Sequence, residues 1–376
     1  MDHLPSPFAL FSTSFLPYSQ TFIHDEVIAH ERYVADVFCK ERLNAERFPY
    51  DAARIHTPGG SLAAQMYETL GTWPAFNSVL ARNSYALIHA HFGTGAVYAW
   101  RFARRHKLPL VVTFWGNDVS ALLGSQRYEY RRWRYVLNAP RIFQQADLML
   151  AVSLDLQELV AELSGRPEAV KLYHHGTDLS RYRRDEEERE VPHVMFVGRF
   201  TEKKGLPYGL RAFAEAIRQG RSARLTLVGG GEQEPWIRQF VREHELGSYV
   251  HFAGVQSPEQ VADLLATADV VLVPSVVARD YDREGSPTVI REASASQVPV
   301  LGTYHGGIPE AVEDGVTGFL VPERNVPALT DRLITLLDNA PLRRTMGRAG
   351  RAKMEREYDV QKQVAELERH YDSVRR

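Results

Sequence analysis

Two periodicities alternate along this chain. Short, nearly continuous apolar runs are followed by stretches in which apolar residues recur every three or four positions, the signatures of buried strands and amphipathic helices. In the first half FALFSTSF (8–15) precedes TFIHDEVIAHERYV (21–34), ALIHAHF (86–92) precedes GAVYAWRFARRH (95–106), PLVVTFWG (109–116) stands alone, and ADLMLAVS (146–153) precedes DLQELVAEL (155–163). In the second half HVMFVGRF, ARLTLVGGG, VHFAG, DVVLVPS and PVLGT lead into LPYGLRAFAEAIRQ, EPWIRQFVREHEL, PEQVADLLATA, SPTVIREASAS and IPEAVEDG. This rhythm predicts an α/β chain of parallel sheets covered by helices on both faces. After residue 325 the pattern is helical only. The polar run SRYRRDEEERE (180–190) has no apolar face and reads as a linker between two similar lobes.

Length and composition bound the rest. At 376 residues the chain suits two domains rather than one core. With 45 basic and 47 acidic side chains the net charge is -2, so no bulk attraction to nucleic acid exists. Cys39 stands alone, which excludes an internal disulfide or a cysteine-cluster metal site and suits a reducing compartment. The start MDHLPSPFALFSTSF lacks a basic region ahead of a long apolar core, and no run reaches about 18 apolar residues. A cytoplasmic protein is expected.

In open parallel sheets ligands bind beyond the carboxyl ends of the strands, and chemistry gathers there in the second half. In EGSPTVIREA (284–293) Ser286 suits an N-cap and Pro287 the first helical position. The Gly285-Ser286-Pro287-Thr288 break then lets Glu284 and Glu292 face one crevice from different depths beside free helix N–H groups. GTYHGGIPE (302–310) places Gly306 and Gly307 between strand and helix, where backbone amides can approach an anion. VGRFTEKKGL (197–206) sets Arg199 and Lys204 at a strand mouth as counter-charges for a diphosphate, with Lys203 competing for the second role. LVGGGEQE gives Gly229 and Gly231 as G-x-G, but Glu234 occupies the third position of a dinucleotide fingerprint and argues against it. Asp280 and Asp282 form a D-x-D pair suited to a divalent metal. Arg199 and Lys204 already supply the charge that such a metal would bring, so no metal is expected.

Together, Gly198-Arg199 with Lys204-Gly205, Glu284 and Glu292 around Pro287, and Gly306-Gly307-Ile308-Pro309-Glu310 resemble glycosyltransferase family 4. YSQTFIHDEV near residue 20, IHAHFG (88–93) and TFWGNDVS (113–120) look like its bacterial members that build exopolysaccharides. The resemblance implies a GT-B fold of two Rossmann-like domains, an acceptor domain at 1–180 and a donor domain at 181–357, with a terminal helix at about 358–376 packing back on the first. It implies that Arg199 and Lys204 hold the donor diphosphate, Glu292 the ribose, and Glu284 the transferred sugar. Gly254, Gly285, Ser286, Pro287, Thr288, Gly306 and Gly307 would line the donor; His91 would face the reacting sugar. Thr21, Phe22, Trp115 and Asp118 would lie on the acceptor side. Trp115 stands where relatives often have His, and His175-Gly176-Thr177-Asp178 where they often read Asn-Gly-Val-Asp.

The expected reaction is retaining, metal-independent transfer of a hexose from a nucleotide sugar such as a UDP-sugar to a hydroxyl of a glycan, glycolipid or small molecule. Rival readings remain at this level: a two-carboxylate glycoside hydrolase, a non-catalytic nucleotide-sugar binder, and an epimerase on the same fold. RYEYRRWRYVLNAPR (127–141) mixes Arg with Tyr and Trp and suits peripheral contact with anionic headgroups, against a plain solvent-facing helix.

Overall fold

The computed structural model describes residues 4–17, 20–128, 132–185 and 189–375. Tyr18 and Ser19 of the YSQTF motif, residues 129–131 of the aromatic-basic segment and residues 186–188 of the charge run therefore lie outside the described residues. The chain divides into two compact units, 1–176 with 360–376, and 177–359.

The first unit is built on β1 (Ser6–Phe15), β2 (Tyr33–Arg42), β3 (Ile55–His56), β4 (Ile88–His91), β5 (Leu110–Phe114), β6 (Leu148–Ala151) and β7 (Val170–Leu172). They form one parallel sheet in the order β3-β2-β1-β4-β5-β6-β7. Both faces are buried, as near-continuous apolar runs require. Along β1, Ala9 and Phe11 enter the core under the helix Phe92–His106, while Phe8 and Leu10 enter a core shared with the helices Thr21–Ala29 and Val360–Val374. Successive side chains thus serve opposite layers.

The second unit repeats the plan with β8 (His193–Val197), β9 (Arg224–Val228), β10 (Val250–Gly254), β11 (Val270–Val273), β12 (Val300–Thr303) and β13 (Gly318–Val321), all parallel in the order β10-β9-β8-β11-β12-β13. Val194 and Phe196 of β8 face one core and Met195 the other. The expected α/β architecture of two parallel sheets is observed. In each sheet the strand order reverses, between β1 and β4 and between β8 and β11, the place in an open parallel sheet where side chains of several elements can converge beyond the carboxyl ends.

Local differences have local causes. The helix expected over 21–34 ends at Ala29, because the N–H groups of Glu31 and Arg32 donate to Glu368 Oε1 at 3.0 and 2.9 Å and Tyr33 opens β2. Ser286 does not cap the helix Thr288–Ala295: its hydroxyl accepts from Arg291 Nη1 at 2.6 Å, and Pro287 occupies the cap position. Strand β7, three residues long, is too short for a periodicity to announce it.

Candidate functional site

At the β8/β11 switch point the chain leaves β8 through Gly198 and Arg199 and makes a single 3-10 turn, Glu202–Lys204, that ends on Gly205. Gly205 has φ +61°, and a Cβ there would lie 1.8 Å from the Pro274 carbonyl oxygen, so only glycine lets this turn rest on the end of β11. The two lysines of the turn diverge. Lys203 is buried and donates to Asp282 Oδ1 at 3.0 Å and to the Arg283 carbonyl at 3.3 Å. Lys204 runs along Gly198, where a Cβ would sit 3.4 Å from its Cε, and places Nζ 2.7 Å from Glu284 Oε1. Arg199 is exposed, and its guanidinium forms no ion pair or hydrogen bond with another described residue.

Glu284 is 5 % exposed and also accepts from Ser275 Oγ at 3.3 Å, just past β11. Burial by itself would raise its pKa, but the ammonium groups of Lys204 and Lys203 and the hydrogen bond from Lys204 outweigh it and hold the carboxyl at about 2. It is an anion at any physiological pH. Above it the turn after β12 closes down: Gly306 has φ +50° and a Cβ there would lie 2.2 Å from the Glu284 carbonyl oxygen, while the Gly307 N–H donates to the Gly285 carbonyl at 3.0 Å. The structure therefore joins Lys204, Glu284, Gly285, Gly306 and Gly307 in one cluster. Glu292 is half-buried one turn into the helix that Thr288 begins. Gly254 ends edge strand β10, where its carbonyl accepts from the Gly229 N–H at 2.8 Å. The Asp280–Asp282 pair is engaged within its own loop, Asp282 by Lys203 and Asp280 Oδ1 by the Asp282 N–H at 3.1 Å.

Residues that the sequence pattern did not single out complete this cluster. His305 accepts the Glu284 N–H on Nε2 at 3.0 Å and meets Glu323 Oε1 through Nδ1 at 2.7 Å. Arg291, fully buried, donates to Ser286 Oγ and to Thr177 Oγ1. A histidine beside a Gly pair was the one available signal; its carboxylate partner, 18 positions away, had none.

In the first unit the β1/β4 switch point holds a second group. His91, fully buried at the end of β4, has Nε2 3.1 Å from Glu26 Oε1, and Tyr173 donates to Glu26 Oε2 at 3.0 Å. Neither ring nitrogen of His91 has an aligned hydrogen bond among the described residues. His89 completes a trio whose ligand atoms lie within 4.8 Å of one another. Both His89 nitrogens are already engaged, by Tyr371 Oη at 2.6 Å and Thr113 Oγ1 at 2.7 Å, so the trio does not offer three free metal ligands. Aromatic rings pack beside it: Phe22 on Trp115 at 4.2 Å, Trp115 on His175 at 4.7 Å, and Trp115 on His91 at 5.8 Å between centroids. Thr21 opens the helix that carries Phe22 and Glu26. Asp118 spends its carboxylate on backbone N–H groups, Oδ1 accepting from Trp115, Gly116 and Val119 and Oδ2 from Gly93, and so holds the turn that presents Trp115.

A cavity of about 890 Å³ elsewhere in the second unit is lined by Arg211, Phe240, His244, Tyr249 and Val326, on helices and loops away from these strand ends. No helix among the described residues is long and apolar enough to cross a membrane.

Comparison with known proteins agrees with this layout. The model of the family Glycosyltransferase Family 4 matches residues 28–181, and that of Glycosyl transferases group 1 matches residues 180–353. The colanic acid biosynthesis glycosyltransferase WcaL of Salmonella typhimurium is 32% identical over 289 residues, 74% of this chain and 69% of that protein. The amylovoran biosynthesis glycosyltransferase AmsK of Erwinia amylovora is 29% identical over 288 residues, 74% of this chain and 68% of its own length. This chain thus spans about two thirds of such relatives. Among solved structures, sucrose-phosphate synthase from Thermosynechococcus elongatus superposes with a TM-score of 0.80 at 21% identity, covering 98% of both chains. HepE from Anabaena in complex with UDP and glucose gives 0.78 at 20% identity, covering 98% of this chain and 100% of that one. The doubled Rossmann-like plan and these matches lead to one identification: the chain belongs to the GT-B glycosyltransferases of family 4.

Proposed function

We propose that this glycosyltransferase moves a hexose from a nucleoside-diphosphate sugar to a glycan, glycolipid or small-molecule hydroxyl, with retention and without a metal. The observation that carries the reading is the buried Lys204–Glu284 pair under the Gly306-Gly307 turn, at the switch point of the second unit. Departure of the diphosphate builds negative charge on its oxygens and positive charge at the anomeric carbon. Lys204, the unengaged Arg199 and the amide of Gly306 answer the first charge; fixed donors of this kind contribute several kcal/mol to a transition state. Glu284, held ionised at about 2, answers the second and orients the sugar by accepting from its hydroxyls. The same ionisation disfavours a glycoside hydrolase in which Glu284 is the acid, because that role needs a carboxyl kept protonated near neutral pH. Retention follows from front-side attack, in which a leaving phosphate oxygen takes the acceptor proton.

Glu292 is assigned to the ribose; Gly254, Gly285, Ser286, Pro287 and Thr288 line the donor. His91, Thr21, Phe22 and Trp115 form the acceptor side, and Asp118 serves it only by holding the turn that presents Trp115. Bound UDP and UDP-glucose in HepE structures support a UDP-sugar donor, and the names of WcaL and AmsK support exopolysaccharide building. A thermal-shift screen of nucleoside diphosphates and their sugars tests the donor: one base class should stabilise the protein, by about 2.7 kcal/mol at a hundredfold excess over Kd. Arg199→Ala should lower kcat/KM about tenfold to a hundredfold, as loss of one partly exposed charge-assisted contact does. Full rates in both Arg199→Ala and Glu284→Gln would remove the site.

Peripheral membrane contact is the finer reading for the first unit. Trp133 and Leu137, exposed by 47% and 64%, lie one turn apart on the helix Trp133–Gln145, and Leu62, Met66 and Leu70 form an exposed row on the helix Ser61–Leu70. Arg134 fills the space beside Gly71 and links the two helices. With Arg141 exposed on the helix that carries Trp133 and Leu137, these apolar rows suit an anionic lipid surface. Vesicles of phosphatidylglycerol should co-sediment the protein at low salt, less so at high salt, and at least fivefold less for Trp133→Ser/Leu137→Ser. Salt-insensitive or absent binding would retire the idea.

A further inference from the structure

The carboxylate of Glu284 can orient a sugar only if its backbone is fixed, and the structure shows how that is done. A backbone N–H can only donate, so the 3.0 Å contact between Glu284 N and His305 Nε2 makes Nε2 the lone-pair nitrogen of the ring. The ring proton therefore sits on Nδ1, where it is donated to Glu323 Oε1 at 2.7 Å. The ring is buried at 3 % exposure, and this tautomer leaves both of its nitrogens satisfied. The other oxygen of Glu323 accepts from the Val277 N–H at 3.0 Å and from Arg324 Nη1 at 3.0 Å. One carboxylate thus ties together segments that follow β11, β12 and β13. His305 is the side chain through which that tie reaches Glu284.

We propose that His305 and Glu323 are positioning residues that set the depth and direction of Glu284 and thereby the recognition of the transferred sugar, as distinct from its nucleotide. The inference rests on the reading of Glu284 as the sugar contact. An outward carboxylate relay that fixes a histidine tautomer is the device by which ligating and catalytic imidazoles are commonly held. Here the imidazole holds a backbone amide instead. Removing either residue leaves the Arg283–Glu284 peptide held at its carbonyl end, by Lys203 at 3.3 Å, but no longer at its N–H, while Arg199, Lys204 and the Gly306-Gly307 backbone remain. Affinity for the bare nucleoside diphosphate should then persist, and the additional affinity contributed by the sugar should fall.

Calorimetric titration with UDP and UDP-glucose, and with GDP and GDP-mannose and ADP and ADP-glucose as further pairs, measures this directly. For the pair in which the wild-type protein binds the sugar nucleotide more tightly, His305→Ala and Glu323→Ala should reduce the ratio of the two Kd values about tenfold and leave the Kd for the nucleoside diphosphate within twofold. His305→Gln, whose side-chain oxygen reaches a similar distance and accepts an N–H, should recover most of the ratio. A general loss of folding would lower both affinities together and would not be rescued by Gln. An unchanged ratio in the alanine variants, or failure of Gln to recover it, overturns this inference alone. A wild-type protein that binds no nucleotide, or binds no sugar nucleotide more tightly than its diphosphate, overturns it together with the sugar-contact role of Glu284.

Discussion

Lys204→Met should lower kcat/KM by about 10²- to 10³-fold, the loss seen when one preorganised donor is removed from a developing oxyanion. It should also destabilise the second unit by about 3–5 kcal/mol, because Glu284 is left buried without its nearest cation. The two losses have separable causes. Adding Glu284→Gln removes the orphaned charge, so Lys204→Met/Glu284→Gln should regain most of the stability and none of the rate. The pH dependence gives a further check on sign. In the wild-type protein Glu284 has a folded pKa of about 2, depressed below its unfolded value, so its contribution is present above about 4.3 and is lost as pH falls towards 2. Without Lys204 burial prevails and the folded pKa rises. Acidification should then narrow the stability gap between variant and wild type. Melting curves from pH 4 to 8 beside initial rates would show it; a variant with wild-type Tm and rate would leave Lys204 without a role.

Glu368→Ala should destabilise the first unit strongly for a single polar change. Glu368 Oε1 accepts from the N–H groups of Glu31 and Arg32 and lies 3.1 Å from His30 Nδ1, and Oε2 accepts from Arg32 Nε at 3.0 Å. Burial opposes the charge, but these hydrogen bonds prevail and hold the carboxyl at about 2. Truncation leaves the buried His30 side chain and two part-buried backbone donors without their acceptor, a loss of about 3 kcal/mol, or about 6–12 °C in a unit of this size. The polar tie of the helix Val360–Val374 to the start of β2 should loosen first, leaving Asp372 as the carboxylate that holds Arg32 and Tyr33. The exposed Lys40–Glu68 pair is the control: Glu68→Ala should cost less than about 0.5 kcal/mol. Because the folded pKa of Glu368 is depressed, its stabilisation too is present above about 4.3 and lost towards pH 2. Thermal melts of the two variants decide the matter, and equal Tm values would refute the anchor.

Much of the architecture was legible because parallel strands buried on both faces must be written as apolar runs, and each must be followed by an amphipathic return helix. VHFAG became β10 as read, and the runs around HVMFVG, ARLTLV and PVLGT became β8, β9 and β12. Glu284, Lys204 and the Gly306-Gly307 turn could be named for a related reason: charged side chains and paired glycines at strand ends stand out locally, and the structure brings these into one cluster. The boundary at Ala29 was not, because the N–H groups that end the helix are satisfied by Glu368, more than 330 positions away. Nor was the division of labour between Lys203 and Lys204, neighbours of equal chemistry whose partners, Asp282 and Glu284, lie about 80 positions on.

The amino-acid sequence by itself determined the alternation of strand and helix, the two-sheet architecture and the identity of the strand-end residues, since each depends on periods and turns a few residues long. Only the tertiary structure decided that Glu284 is an anion held by Lys204, that His305 and Glu323 fix its backbone, that Glu26 stands against His91, and that Glu368 closes the last helix onto β2. Those outcomes depend on burial and on distances between segments far apart in the chain. A carboxylate's charge state is set by what surrounds it in space.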